Sequence, residues 1–376
     1  MDTQKLISFR KEVHQHPELS GEEKETARRV RQFISENNPD EVIEGIGGHG
    51  IAFIFKGKAD GPVVMIRSEL DALPIKEVNT FEYRSDSENV SHKCGHDGHM
   101  AMVAGLSYEF REKPEKGKVI LLFQPAEETG KGAAQVLNDP KFDRIKPDFT
   151  FALHNLPEYP KGSILFREGI FSSASIGIEI LLEGKTSHAA EPEKGINPAM
   201  ATSQIIKDII ELPGKKEMFD DFVLSTIVHV KLGEIAFGTS AGHSEIRATL
   251  RSYQNDDLNK MKSKAVEIAG KYADEHNLRL ETNFVEYFPA LENDPDMLEI
   301  VKEAAGSNNF QMIELERPFR WSEDFAQFTS KFQGAMFGLG AGENTPKLHN
   351  PDYDFPDEIL ENGIRMFKTI IKKLLH

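Results

Sequence analysis

Val119-Ile120-Leu121-Leu122-Phe123-Gln124-Pro125-Ala126-Glu127-Glu128 is the stretch on which the reading of this chain turns. Five consecutive apolar residues leave no polar face, the pattern of a strand buried on both sides within a parallel sheet. Gln124 to Glu128 follow the end of that run, and in open α/β sheets ligands gather at the carboxyl ends of strands. Two adjacent carboxylates in a buried setting repel unless a cation lies between them. One of Glu127 and Glu128 can then bind a metal while the other works as a base.

Working outward, residues 3–15 place Leu6, Ile7, Phe9 and Val13 at helical spacing, and Pro17 stops that helix. Val42-Ile43, Ile51 to Phe55 and Val63 to Ile66 read as strands divided by Gly- or Pro-containing turns, and Ala101 to Phe110 as a helix. Alternating strands and helices predict an α/β fold, a mixed, mostly parallel sheet with helices on both faces. From Ser175 the pattern changes to strand (175–183), helix (197–211), strand (222–232), strand (244–252), helix (255–275) and strand (278–286). That β-α-β-β-α-β order predicts a ferredoxin-like α+β domain. After Pro289 the first character returns, with helices near 295–306 and 322–331, a strand at Gly334 to Gly338 and a helix near 357–374. His349 lies in this last part, whereas the other candidate ligands precede residue 155. The expected division is therefore a discontinuous catalytic domain, 1–171 and 285–376, with 172–284 inserted into it.

At 376 residues the length suits two to three domains of about 150 residues. With 45 basic against 61 acidic side chains the formal charge is −16, which disfavours nucleic acid and anionic membranes as partners. A single cysteine excludes an intrachain disulfide. No apolar run of signal-peptide length follows Met1-Asp2-Thr3-Gln4-Lys5 and no stretch of 18 apolar residues occurs, so a soluble cytoplasmic protein is expected. Internal repeats and low-complexity tracts are absent from the sequence.

Four further segments supply metal-ligand chemistry: Arg67 to Pro74 with Glu69 and Asp71, Ser91 to His99 with Cys94 and His96 spaced C-x-H, Ala152 to Asn155 with His154, and Lys347 to Pro351 with His349. Thiolate, imidazole and carboxylate together suit borderline divalent ions such as zinc, manganese, cobalt or nickel. Singly each feature has a plainer explanation. A lone histidine is usually a surface or satisfied core residue, a Glu-Glu pair a solvated face, and a lone cysteine a small buried side chain. Their joint occurrence beside strand ends points to a metal centre.

With these segments in order along the chain, the sequence resembles the metal-dependent amidohydrolases of the aminoacylase, hippurate hydrolase, indole-acetyl-amino-acid hydrolase and N-acetyl-diaminopimelate deacetylase group, within the dinuclear-zinc exopeptidase superfamily. The likeness runs nearly end to end, through His14-Gln15-His16-Pro17-Glu18-Leu19-Ser20, Asp71-Ala72-Leu73-Pro74, Cys94-Gly95-His96-Asp97-Gly98-His99, Gln124 to Glu128, Leu153-His154-Asn155, Gly184-Lys185-Thr186-Ser187-His188-Ala189-Ala190 and Leu348-His349-Asn350-Pro351. It implies two divalent metal ions held by Cys94, His96, Glu128, His154 and His349, with Glu127 as general base and acid, and Asp71 as the carboxylate that orients a ligand histidine. His14, His16 and His99 would be structural or rim residues. It further implies a homodimer made by the inserted domain, with His188 stabilising the oxyanion in the partner's site. The substrate class implied is an N-acyl amino acid, an amino-acid conjugate or a small peptide.

The chain departs from that pattern in two places. Members commonly carry Asn-Val-Ile-Pro in the inserted domain, with the asparagine on the substrate carboxylate, where this chain has Gly238-Thr239-Ser240-Ala241-Gly242-His243-Ser244. Arg247, Arg251 or Asn293 are the remaining candidates for that contact. Glu69 also stands where an aspartate is usual. Two other readings compete. Gly238 to Gly242 matches G-x-S-x-G, the serine-hydrolase elbow, but the alternation Glu245-Ile246-Arg247-Ala248-Thr249-Leu250 predicts a strand where the elbow needs a helix, which disfavours Ser240 as a nucleophile. The other is a metal-containing binding protein without turnover, for which the altered 238–244 segment speaks and the presence of Glu127 and all five presumed ligands against.

Overall fold

Asp2 starts the first helix by accepting hydrogen bonds from the backbone N–H groups of Gln4 and Lys5, an N-cap for α1 (Thr3–Gln15). The computed structural model describes residues 2–375. They form two compact units, one running to Phe171 and resuming over Leu291–Arg317 and from Asp324 onward, the other comprising Ser172–Ala290 with Pro318–Glu323. The second unit thus takes in the end of a strand and a short excursion at 318–323 that a division at 284/285 leaves out.

In the first unit α1 is followed by α2 (Lys24–Ser35), β1 (Glu41–Ile46), β2 (Gly50–Lys56), β3 (Ala59–Glu69), α3 (His96–Leu106), β4 (Lys116–Gln124), α4 (Gly132–Asn138), β5 (Phe149–Pro157), β6 (Ile164–Phe166) and β7 (Gly169–Ser172). The second contributes β8 (Ala174–Glu183), β9 (Ser187–His188), α5 (Ala199–Glu211), β10 (Val223–Leu232), β11 (Thr239–Ser240), β12 (His243–Ser252), α6 (Asn255–Glu275) and β13 (Arg279–Phe288). The chain then returns through β14 (Leu291–Asn293), α7 (Pro295–Ser307), β15 (Met312–Glu314), α8 (Ala326–Thr329), β16 (Gln333–Gly342) and α9 (Leu360–Leu375).

The first unit's eight-stranded sheet has the order β1-β2-β4-β3-β5-β16-β6-β15. Its centre, β4-β3-β5-β16, is parallel, while β1, β2 and the β16–β6 pairing are antiparallel. The mixed, mostly parallel α/β sheet read from the sequence is therefore the fold. Val119 to Phe123 are fully buried at its middle, which is why an unbroken apolar run is tolerated there. The helices depart from expectation at α2, which carries Val30, Phe33 and Ile34 as a narrow apolar face in a highly charged stretch, at the short α4, and at 322–331, which yields only the short α8.

The second unit's sheet, β10-β12-β8-β13, is antiparallel throughout, with α5 and α6 between its strands in sequence. β8 and β12 alternate buried and more exposed residues, so one sheet face is covered and the other carries Glu179, Glu245 and Arg247.

Candidate metal centre

The carboxyl ends of the central strands carry the site. β3 ends at Glu69 and leads into Asp71, β4 ends at Gln124 just before Glu127 and Glu128, and His154 sits within β5. Cys94 precedes α3 and His96 opens it. Gly95 between them has φ +92, and a Cβ there would lie 2.4 Å from the Asn155 Oδ1, so the position requires glycine.

All five ligands inferred from the sequence converge. Their donor atoms fall into overlapping groups, Cys94 with His96 and His154, and Cys94 with Glu128 and His349, each within 4.8 Å of one another. His96 and Glu127 join Glu128 in a third group. Cys94 Sγ lies 3.5 Å from His154 Nε2, and His349 Nε2 3.7 Å from a Glu128 carboxylate oxygen. Cys94, His96 and His154 are buried, whereas the His349 side chain is half-exposed.

Two of the imidazoles are held in the tautomer a metal needs. His96 Nδ1 donates to the Asp71 carbonyl at 2.9 Å, and His154 Nδ1 donates to the Asn155 carbonyl at 2.9 Å. A neutral ring at either position therefore has its lone pair on Nε2, and the Nε2 of His96 is buried with no hydrogen-bond partner. Asp71 acts more widely than the sequence suggested. Its carboxylate is 3.5 Å from His96 Nδ1, further than its carbonyl, and accepts hydrogen bonds from Ser20 Oγ at 2.7 Å and from the Glu128 N–H at 2.9 Å. It therefore contacts two of the candidate ligands, His96 and Glu128.

The electrostatics favour positive charge here. Burial would lower the His96 pKa, but the carboxylates of Asp71, Glu69 and Glu128 raise it to about 10. Burial and then Glu128 and Glu127 push the Cys94 thiol well above its ordinary value. His154 goes the other way, to about 3, through burial and its neighbours His99 and His96. A divalent cation answers all three, since it neutralises the carboxylates, stabilises a thiolate and takes a neutral imidazole. The donor set and the unpartnered His96 Nε2 both fit such an ion.

Other sequence-singled residues serve the frame. His99 bridges Glu69 at 2.8 Å and Asn155 at 2.6 Å, and His14 lies buried between Asp97 at 2.9 Å and Glu77 at 3.1 Å, while His16 is partly exposed. Asn293, named as a substrate contact, is instead engaged with backbone: it accepts from Met336 N–H and donates to the Met336 and Arg167 carbonyls. Arg247 lies on the open sheet face of the second unit, paired with Glu245 and with Glu179 at 3.1 Å. Arg251 bonds the Arg320 carbonyl and Ser322 Oγ, within the same unit. Ser240 accepts from Asn197 at 3.0 Å, and the chain beyond it enters strand β12, so the serine elbow is not formed.

The sequence reading missed a group of buried partners around the ligands: Arg67, bonded to Glu69, to Asp324 at 2.6 Å and to Gln124 at 2.9 Å, and the cluster of Arg10, Glu77, Lys93 and Tyr353. The one available signal was Arg67 and Glu69 at i, i+2, directly after the apolar run Val63 to Ile66 of the same strand.

Residues 65–373 match the model of the peptidase family M20/M25/M40. A Bacillus subtilis protein named N-acetylcysteine deacetylase is 29% identical over 368 residues, 97% of this chain and 96% of that one. A hydrolase of Staphylococcus haemolyticus is 30% identical over 94% of both. Among solved structures, a Bacillus subtilis protein described as a dinuclear metal binding peptidase from the M20 family superposes with TM-score 0.82 at 28% identity, covering 99% of this chain and 98% of that one. A putative aminohydrolase from methicillin-resistant Staphylococcus aureus gives TM-score 0.88 at 25% identity, covering 100% of this chain and 97% of that one. Among the described residues no helix is long and apolar enough to cross a membrane. This chain belongs to the peptidase family M20/M25/M40 and is a metal-dependent amidohydrolase.

Proposed function

We propose that the protein removes the acyl group from N-acyl amino acids, N-acetyl-L-cysteine among them, or cleaves related conjugates and small peptides, with two divalent ions held by Cys94, His96, Glu128, His154 and His349. The observation that carries this reading is the pair of donor groups that share Cys94, with Glu127 buried beside them. Five ligands are more than one tetrahedral ion takes. Such ions polarise a carbonyl and lower the pKa of water.

Glu127 is the base in this reading. Its carboxylate lies 3.9 Å from His96 Nε2 and 3.5 Å from the Asp324 N–H, inside the ligand cluster. It takes a proton from the attacking water and passes it to the departing amine nitrogen. His188 supplies the oxyanion donor. Its Nδ1 accepts the Ala190 N–H at 3.0 Å, so a neutral ring carries its proton on Nε2, and the side chain is exposed on a unit that holds none of the five ligands. A second copy of the chain delivers it, as a closed two-fold dimer can do reciprocally. Support for that dimer comes from β10, an edge strand with Val228, Val230 and Leu232 exposed.

The reading is tested on metal-loaded protein with a panel of N-acetyl-L-cysteine, other N-acetyl and N-benzoyl amino acids and dipeptides. Glu127→Gln should keep both ions and lower turnover by about 10²–10⁴-fold, whereas Glu128→Gln should lose metal. Reversed phenotypes, or full activity in protein shown by elemental analysis to lack stoichiometric metal, would overturn it.

A further inference from the structure

Lys93 directly precedes the ligand Cys94, yet its side chain is fully buried. Burying an ammonium is costly unless it is paired and hydrogen-bonded. Lys93 Nζ pairs with Glu77 and donates to the Tyr353 carbonyl at 2.8 Å, and the Lys93 carbonyl accepts the His349 N–H at 2.7 Å. One residue therefore grips the 349–353 segment at both ends, by its backbone at His349 and by its side chain at Tyr353.

That segment needs holding. His349 has φ +66, a left-handed conformation uncommon outside glycine, and lies in a stretch without helix or strand. His96 and His154, by contrast, are carried on α3 and β5. Glu77 is itself fixed, accepting the Ser85 N–H at 2.6 Å and lying 3.1 Å from His14 Nε2, so the Lys93 ammonium meets a carboxylate that cannot swing away.

We propose that Lys93 is a positioning residue for the metal ligand His349, locking the His349 segment to the Cys94 segment so that the two sides of the shared site close on the ion they hold together. The proposal rests on the five-ligand reading above. Its physical content is preorganisation: the Val78 N–H bond to the Pro351 carbonyl at 3.2 Å, the Asn79 amide bonds to the Asp352 and Tyr353 carbonyls and the Asn155 bond to the Tyr353 hydroxyl hold the segment's far end, but without the ammonium only the backbone bond at Lys93 ties it to the Cys94 segment, and His349 is less well ordered when metal binds.

The test uses Lys93→Met, which keeps an unbranched apolar side chain out to Cε and removes the ammonium, and Lys93→Met/Glu77→Gln, which also removes the charge of the carboxylate left without it. Zn²⁺ stoichiometry and affinity are measured by competition with a chelating dye, and thermal midpoints on chelated protein. A role in stability alone predicts that the double variant recovers midpoint and affinity together. Positioning predicts that the midpoint recovers while one of the two Zn²⁺ per chain stays weakened by about 10–100-fold. His349→Ala should then add little at that site on top of Lys93→Met, since both remove the same ligand geometry. Should Lys93→Met alone fail to fold, the double variant carries the measurement. Full affinity for both ions in either variant overturns the proposal, and a parent protein that binds fewer than two Zn²⁺ overturns the five-ligand reading on which it rests.

Discussion

On β3 of the first unit Arg67 pairs with Glu69, two residues on, and both side chains are buried; on β12 of the second Arg247 pairs with Glu245 at the mirrored spacing, on an open sheet face. The local pattern is the same and the surroundings are not. Arg67 also reaches Asp324 and Gln124, which tie β3, β4 and the chain before α8 together beneath the ligand cluster. Arg247 adds only Glu179 from the neighbouring strand. The contrast extends to whole units. Arg10, Lys93, Asp71 and Asp97 are buried in the first, whereas among the described residues every exposed large apolar side chain except Val78 and Met312 belongs to the second. The first unit organises charge inward around a reaction, and the second presents apolar surface outward.

The largest effect that could break this division is complementation between two copies of the chain. Glu127→Ala and His188→Ala should each be nearly inactive alone. Unfolded together and allowed to reassociate, they should recover roughly a quarter of parental activity, because half of the dimers are mixed and each mixed dimer has one site with both residues intact. Mixed dimers seen by mass spectrometry without recovered activity would return His188 to its own chain or to no role.

Next comes the arginine pair itself. Arg67→Met leaves two buried carboxylates without their guanidinium, and breaking a buried pair costs about 3–5 kcal/mol. Arg247→Met removes an exposed pair, for which about 1 kcal/mol or less is expected. Chemical denaturation of the two variants should separate them by a clear margin in midpoint. Equal losses would mean that burial does not distinguish these pairs.

How much of this was legible in the sequence follows the same line. Val119 to Phe123 could be placed in the buried sheet because a five-residue apolar run has few alternatives, and the β-α-β-β-α-β order was visible in its alternation. Cys94, His96, Glu128, His154 and His349 carry metal-ligand chemistry at or near segment ends, but it was the resemblance that singled them out as a set, and their convergence is a property of the folded chain. Lys93 and Glu77 could not be named, since nothing local distinguishes a buried lysine from a solvated one. Their partners lie far along the chain, at Tyr353 and His14. Asn293 is the converse case: an amide before a helix reads as polar and available, while the fold engages its side-chain oxygen and nitrogen with backbone.

A third measurement sharpens the inward half of the comparison. Burial alone would lower the His14 pKa, but the hydrogen bonds to Asp97 and Glu77 raise it from 6.5 to about 9. A raised folded-state value means that the imidazolium's contribution to stability is complete below about pH 6.5 and is lost as pH rises through 9. At about 1.4 kcal/mol per unit the ceiling is about 3 kcal/mol. The thermal midpoint of the parent should therefore fall more between pH 6.5 and 9.5 than that of His14→Gln. Parallel curves would show that His14 does not gain its proton on folding.

The smallest effect on the folded chain should come from its most conspicuous surface. Ile235 and Phe237 are fully exposed, at 105% and 104%, in the loop between β10 and β11. The base of that loop is tied down by Gly233 N–H to the His243 carbonyl at 3.0 Å and by Ala189 N–H to the Gly238 carbonyl at 2.9 Å, the latter beside His188. Two large side chains that touch nothing in their own chain add nothing to its stability, so Ile235→Ser/Phe237→Ser should change the denaturation midpoint of the separated chain by no more than about 0.5 kcal/mol. If the second unit's apolar surface meets a second copy, the cost appears in assembly, as a shift of the monomer–dimer equilibrium to higher protein concentration in sedimentation, with activity falling in step on dilution. A variant that dimerises like the parent would place these two side chains outside the interface and leave β10 to carry it. A variant that loses chain stability would show that the loop packs on its own unit, against the outward half of the comparison.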